Sequence, residues 1–163
     1  MYMKKTALPV LLLSQLFVFI CACSSIECPV ENRVRTIYHV YRGEKLDTLH
    51  DTLTIWTRTV KCKDTLLLNK RTNSSSFELP ISYQHPEDTL YFCITDTTKV
   101  STTDTVWIKK DDIPHFESVD CTPTFFHQLT GVRSTHHRID TIVINHSQVD
   151  YESSTEHFHI SFK

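Results

Sequence analysis

An Asp-Thr pair stands directly before an apolar residue or a further Thr at seven places in this chain. These are Asp47-Thr48-Leu49, Asp51-Thr52-Leu53, Asp64-Thr65-Leu66, Asp88-Thr89-Leu90, Asp96-Thr97-Thr98, Asp104-Thr105-Val106 and Asp140-Thr141-Ile142. An Asp closes a turn well, because its carboxylate bonds nearby backbone amides. A β-branched Thr opens a strand well. In an extended chain alternate residues share a face. Counting Asp as zero, positions two and four pair Leu53 with Ile55, Leu66 with Leu68, Leu90 with Phe92, Val106 with Ile108 and Ile142 with Ile144. Those ten residues are the predicted core of five strands, and the Thr at position one faces away from it. A sustained 3.6-residue apolar period occurs nowhere in the chain, so helices are not expected.

Strands are predicted near 34–42, 52–60, 65–69, 76–79, 89–95, 105–109, 115–119, 139–145 and 157–162. Polar breaks separate them at 42–44, 71–75, 84–88, 96–103, 111–114 and 150–156. Eight or nine short strands at this spacing predict an all-β chain, an antiparallel β-sandwich of immunoglobulin-like type. A small β-barrel is the alternative. Residues 121–138 lack strand alternation and read as a long covering loop, with adjacent Phe125 and Phe126 unable both to face inward.

The N-terminus carries Lys4 and Lys5, then an apolar stretch from Ala7 to Ile20 that is too short to span a bilayer. This is the pattern of an export signal. Its end, Ile20-Cys21-Ala22-Cys23, resembles the lipobox of bacterial lipoproteins, which implies a lipidated Cys23 carrying acyl chains such as palmitate. The chain then divides into a signal peptide (1–22), a lipidated end and short tether (23–33) and one domain (34–163). Removing residues 1–22 leaves 15 basic and 19 acidic side chains with no basic block. Nucleic-acid binding therefore has no electrostatic support.

Four cysteines remain beyond Cys23: Cys28, Cys62, Cys93 and Cys121. An even count in an exported chain predicts disulfides, with three full pairings open. Cys28–Cys121 and Cys62–Cys93 are the pairs preferred here. The first would close a loop of about 93 residues, worth about 4 kcal/mol. It would also leave only the five-residue step from Cys23 to Cys28 between domain and membrane.

Three stretches carry a family likeness: CSSIEC after the signal, HFESVDCTPTFFHQLTGVRSTHHRIDTIVI from His115 to Ile144, and EHFHISF near the end. Together they resemble small β-rich lipoproteins of Bacteroidales-type Gram-negative bacteria, a group without an established activity. The resemblance implies an outer-membrane location. Only Glu27 supplies acidity after Cys23, so a periplasmic facing is expected rather than surface display. The resemblance also implies O-glycosylation at Asp-Thr-apolar triplets, with Thr48, Thr52, Thr65, Thr89, Thr97, Thr105 and Thr141 as candidate acceptors.

For chemistry, seven of the ten histidines follow residue 114. In EHFHISF the alternation puts Phe158, Ile160 and Phe162 inward, with His157 and His159 outward. Those two histidines with His137 form a candidate zinc set, sequestering or hydrolytic, if a third ligand converges. No metal or other cofactor is otherwise expected. Asp111 and Asp112 read as solvated turn carboxylates. With only Gly43 and Gly131 there is no phosphate-cradling loop, and there is no Gly-x-Ser-x-Gly elbow. The expectation is a membrane-anchored binding or structural module with a protein or glycan partner, not an enzyme.

Overall fold

The computed structural model describes residues 34–58, 64–152 and 154–163. The predicted export segment, Cys23, Cys28 and Cys62 lie outside the described residues. Eleven strands follow one another: β1 (Arg35–Arg42), β2 (Lys45–Leu46), β3 (Thr52–Arg58), β4 (Asp64–Arg71), β5 (Ser76–Pro80), β6 (Glu87–Thr95), β7 (Ser101–His115), β8 (Thr124–Ser134), β9 (Ile139–Ile144), β10 (Gln148–Val149) and β11 (Phe158–Phe162). Among the described residues there is no helix.

One sheet runs β2-β1-β11-β9, with β5 also on β1. The other runs β10-β8-β7-β6-β3-β4. Both curl, and they face each other as a sandwich open toward a half-barrel. The expected antiparallel sandwich is therefore the fold. One parallel pairing departs from it, β1 with β11, in the register Tyr38↔Phe158 and His39↔His159.

The core follows the parity of the boxes. Leu53, Ile55, Leu90, Phe92, Val106, Ile108 and Ile142 are all buried between the sheets. From the other sheet Tyr38 enters, stacked between Phe77 at 4.8 Å and Phe158 at 4.7 Å, with Phe92 edge-on. The Asp64 box breaks the rule, since Leu66 is more than half exposed. Its strand is the sheet edge, and two register shifts against β3 reverse its parity. Such bulges, with Lys70 at φ 45°, also spoil the edge as a template for another strand.

Two sequence expectations fail in one place. The predicted break at 111–114 is instead the end of one long strand, β7, which stops at His115, and residues 116–119, predicted as strand, form the turn beyond it. The predicted loop at 121–138 is mostly β8. Beyond Lys109, β7 has lost its neighbour β6 and, among the described residues, pairs only with β8, so Pro114 sits where a missing N–H costs no ladder bond. A register shift after Lys109 blurs the alternation of β8.

Candidate functional site

Asp104 shares parity with the core positions of its strand, so it points between the sheets and does not merely end a turn, whereas Asp64 and Asp140 of other boxes are exposed. Asp104 is fully buried in mid-strand. Its Oδ1 accepts from the Thr135 hydroxyl at 2.7 Å and the His137 amide at 2.8 Å. Its Oδ2 accepts from the amides of Arg138 at 2.7 Å and Ile139 at 2.9 Å. Burial alone would raise its pKa. The Thr135 hydroxyl and those amides outweigh burial and hold the carboxyl below its ordinary value. Asp104 thereby ties β7 to the turn that leads into β9. Asp51 does similar work at the sandwich rim by pairing with Arg138. Asp96 is the one that behaves as a turn residue, accepting from the amides of Thr98 and Val100.

A second polar knot closes one end of the interior. Lys110 is buried, and its Nζ donates to the His85 carbonyl at 2.7 Å and to Asp112 Oδ1 at 2.9 Å. The same oxygen lies 2.6 Å from His127 Nδ1. Burial lowers the His127 pKa, partly offset by Asp112. Burial also raises Asp88, which accepts from the Ser82 amide at 3.0 Å, with Lys110 and His127 pulling it back. The expectation that Asp112 is a solvated turn residue is therefore corrected; it neutralises a buried lysine.

His157 is a further correction, being fully buried rather than outward-facing. Its Nδ1 accepts from the Ile37 amide at 3.1 Å, a role open only to the unprotonated nitrogen, and burial lowers its pKa. His137 is largely exposed, with Nδ1 3.2 Å from Asp104. The candidate zinc set of His157, His159 and His137 is therefore dispersed over three settings. Among the described residues no three His, Cys, Asp or Glu side chains gather in metal-holding geometry. Cys93 is a free thiol between the register partners Thr54 and Thr103, so the preferred Cys62–Cys93 bridge is not formed. Cys121 is disulfide-bonded, to a cysteine outside the described residues.

The polar groups turned outward form a different constellation, one that the sequence did not bring together. The parallel register sets His39 beside His159 on the outer face of the first sheet. Glu156 reaches both, its Oε2 3.3 Å from His39 Nδ1 and its Oε1 2.9 Å from His159 Nε2. The Tyr41 hydroxyl donates to Glu156 Oε2 at 3.2 Å, and the Tyr41 ring stacks on His159 at 4.2 Å. Beside them lies a shallow depression of about 220 Å³, lined by Tyr41, Gly43, Thr141, Val143 and His159 among others. On the opposite outer face Trp56 stacks on Tyr91, and Arg133 covers Trp107 at 4.0 Å.

The candidate acceptor threonines divide by position. Thr65, Thr97 and Thr141 are exposed, whereas Thr48, Thr52, Thr89 and Thr105 are half-buried. Thr105 lies inside β7 rather than opening it, next to the Asp104 tie. Comparison with known proteins gives a single handle on kinship. No curated protein and no solved structure matches the chain. A family model does match residues 52–162, more than half of the chain, and the protein belongs to that family of unknown function, DUF6452.

Proposed function

We propose that this is a lipid-anchored β-sandwich at the outer membrane that serves as a non-enzymatic binding or structural module. The lipobox-like Ile20-Cys21-Ala22-Cys23 supports the anchor, as does the resemblance to Bacteroidales-type lipoproteins. The observation that carries the binding reading is the division of polar groups. Those inside are committed to tying strands together, as Asp104 does. His39, Tyr41, Glu156 and His159 are instead presented on an outer face beside a depression. Two imidazoles and a phenol around one carboxylate offer both donors and acceptors, which suits a hydroxyl-rich glycan or a polar protein surface.

A Tyr41→Ala, His159→Ala double variant of the native lipoprotein tests this reading. Chemical cross-linking in native membranes should give a discrete adduct with the parent protein and at least about tenfold less with the variant, a change worth about 1.4 kcal/mol. Equal adduct from both would remove this face from the function.

The modification reading is narrowed by exposure. If the triplets are acceptors, glycan belongs on Thr65, Thr97 and Thr141, whose side chains reach solvent. Protein from the native host should then weigh more than polypeptide plus lipid, with the excess mapping to those three. A mass equal to polypeptide plus lipid would leave the triplets as architecture alone.

A further inference from the structure

We propose that the projecting end of the β7–β8 hairpin rests on the lipid surface to which the chain is anchored. This rests on the lipid-anchor reading above. Eight large apolar side chains of the described residues are exposed, and four of them cluster at this end: Tyr83, Ile113, Phe116 and Val119. Val119, at 96% exposure, makes almost no contact with its own domain. Among the described residues the arm that carries it has no third strand along its length: past Lys109 the β6 ladder has ended, and β10 covers only His127 and Gln128. At its base Tyr83 stacks on Phe125 at 4.9 Å and His115 on Phe126 at 4.2 Å, with Tyr151 edge-on to Phe126. A flexible apolar loop would normally collapse onto its core. This one stands on stacked rings at its base, among them the exposed Tyr83, a side-chain type that settles at a membrane–water interface.

The occupant is chosen by where the tether arrives. Arg35 pairs with Pro80, and the chain runs on from Pro80 through Ile81 and Ser82 to Tyr83. Val34, where the domain begins, is thus at the same end as the hairpin tip. Eleven residue steps lead to it from Cys23, a reach of at most about 36–40 Å. Cys121, in the same tip, is bonded to a cysteine outside the described residues. An anchored domain meets the lipid surface at a high effective concentration, so a contact too weak to hold a free protein suffices. Glu117 and Asp120 flank Val119, which disfavours an anionic surface and selects zwitterionic headgroups. Glu117 is itself held against His115 at 3.3 Å.

The test uses the full lipidated chain in phosphatidylcholine–phosphatidylethanolamine vesicles, with Val119→Trp as reporter and Phe116→Trp as a second, independent one. The wild type supplies the baseline, because Trp56 and Trp107 lie on an outer sheet face away from the tip. Lipids brominated near the top of the acyl chain should remove about half of the added emission, as expected for a side chain entering the headgroup–acyl boundary. The wild type should change little. The Cys23→Ala protein carrying the same reporter should lose the quenching. Vesicle-bound protein with unquenched reporters would overturn the tip contact and leave the anchor standing. A reporter already blue-shifted without lipid would assign the tip to contact between protein copies, and would also overturn it. Failure of the lipidated chain to associate with vesicles would overturn both readings.

Discussion

Asp104→Ala is expected to lower the unfolding free energy by about 4 kcal/mol, measured by urea titration at pH 7. The carboxylate is fully buried and serves four donors: one hydroxyl and the three successive amides of residues 137–139. Each buried donor left without an acceptor costs about 1–3 kcal/mol, and the turn can recover part of that by opening to water. Asp104→Asn separates charge from shape. Its single carbonyl can serve one side of the site, but its NH₂ must face amides that also donate, so about 2 kcal/mol should be lost. Because hydrogen bonds hold this carboxyl below its ordinary value, its contribution is complete above the ordinary carboxylate range. It is lost as pH falls through the lowered value. Asp88 has the opposite sign, being raised by burial. Asp88→Asn should therefore be nearly neutral at pH 7, although both residues open an identical Asp-Thr box. Equal costs for the two asparagine variants would contradict this account of the boxes.

That contrast shows what the sequence could and could not disclose. Period two, with β-branched starts, reached the sandwich and placed Leu53, Ile55, Leu90, Phe92, Val106 and Ile108 in the core, because these positions depend only on local parity. The same parity already put the Asp between the sheets. Reading it as a turn former alone missed Asp104, although a carboxylate in phase with the core was the available sign. Leu66 was misplaced because bulges against β3 shift the phase, and nothing in Leu-Leu-Leu announces a bulge, whereas Leu68, opposite Ile55, still packs against the core. Lys110 fell between the predicted strand at 105–109 and the predicted break at 111–114, because its partners, the His85 carbonyl and Asp112, become visible only once β7 is known to continue.

The proposed binding surface was less legible still. His159 was correctly turned outward, but its neighbours His39 and Tyr41 come from the other end of the chain through a parallel pairing. His157 was turned the wrong way for a related reason. Its acceptor role is fixed by the Ile37 amide, 120 residues earlier. Residue type alone does not distinguish a histidine that holds two strands together from one offered to a partner.

The anchor underlies every functional claim made for this fold, and Cys23→Ala tests it with the largest change in behaviour expected of any substitution. A domain with no basic block, and with 15 basic against 19 acidic residues after position 22, has no electrostatic hold on a membrane. The contact proposed for the hairpin tip would be too weak to act alone. In the proposed reading, lipid at Cys23 keeps the protein in place, since burying acyl chains contributes about 0.8 kcal/mol per CH₂. The decisive measurement is the fraction of exported protein that sediments with membranes after a high-salt wash, wild type against Cys23→Ala. Nearly all of the wild type should sediment, and nearly all of the variant should be soluble. A variant that still sediments would show that something other than a lipid at Cys23 holds this β-sandwich to its membrane.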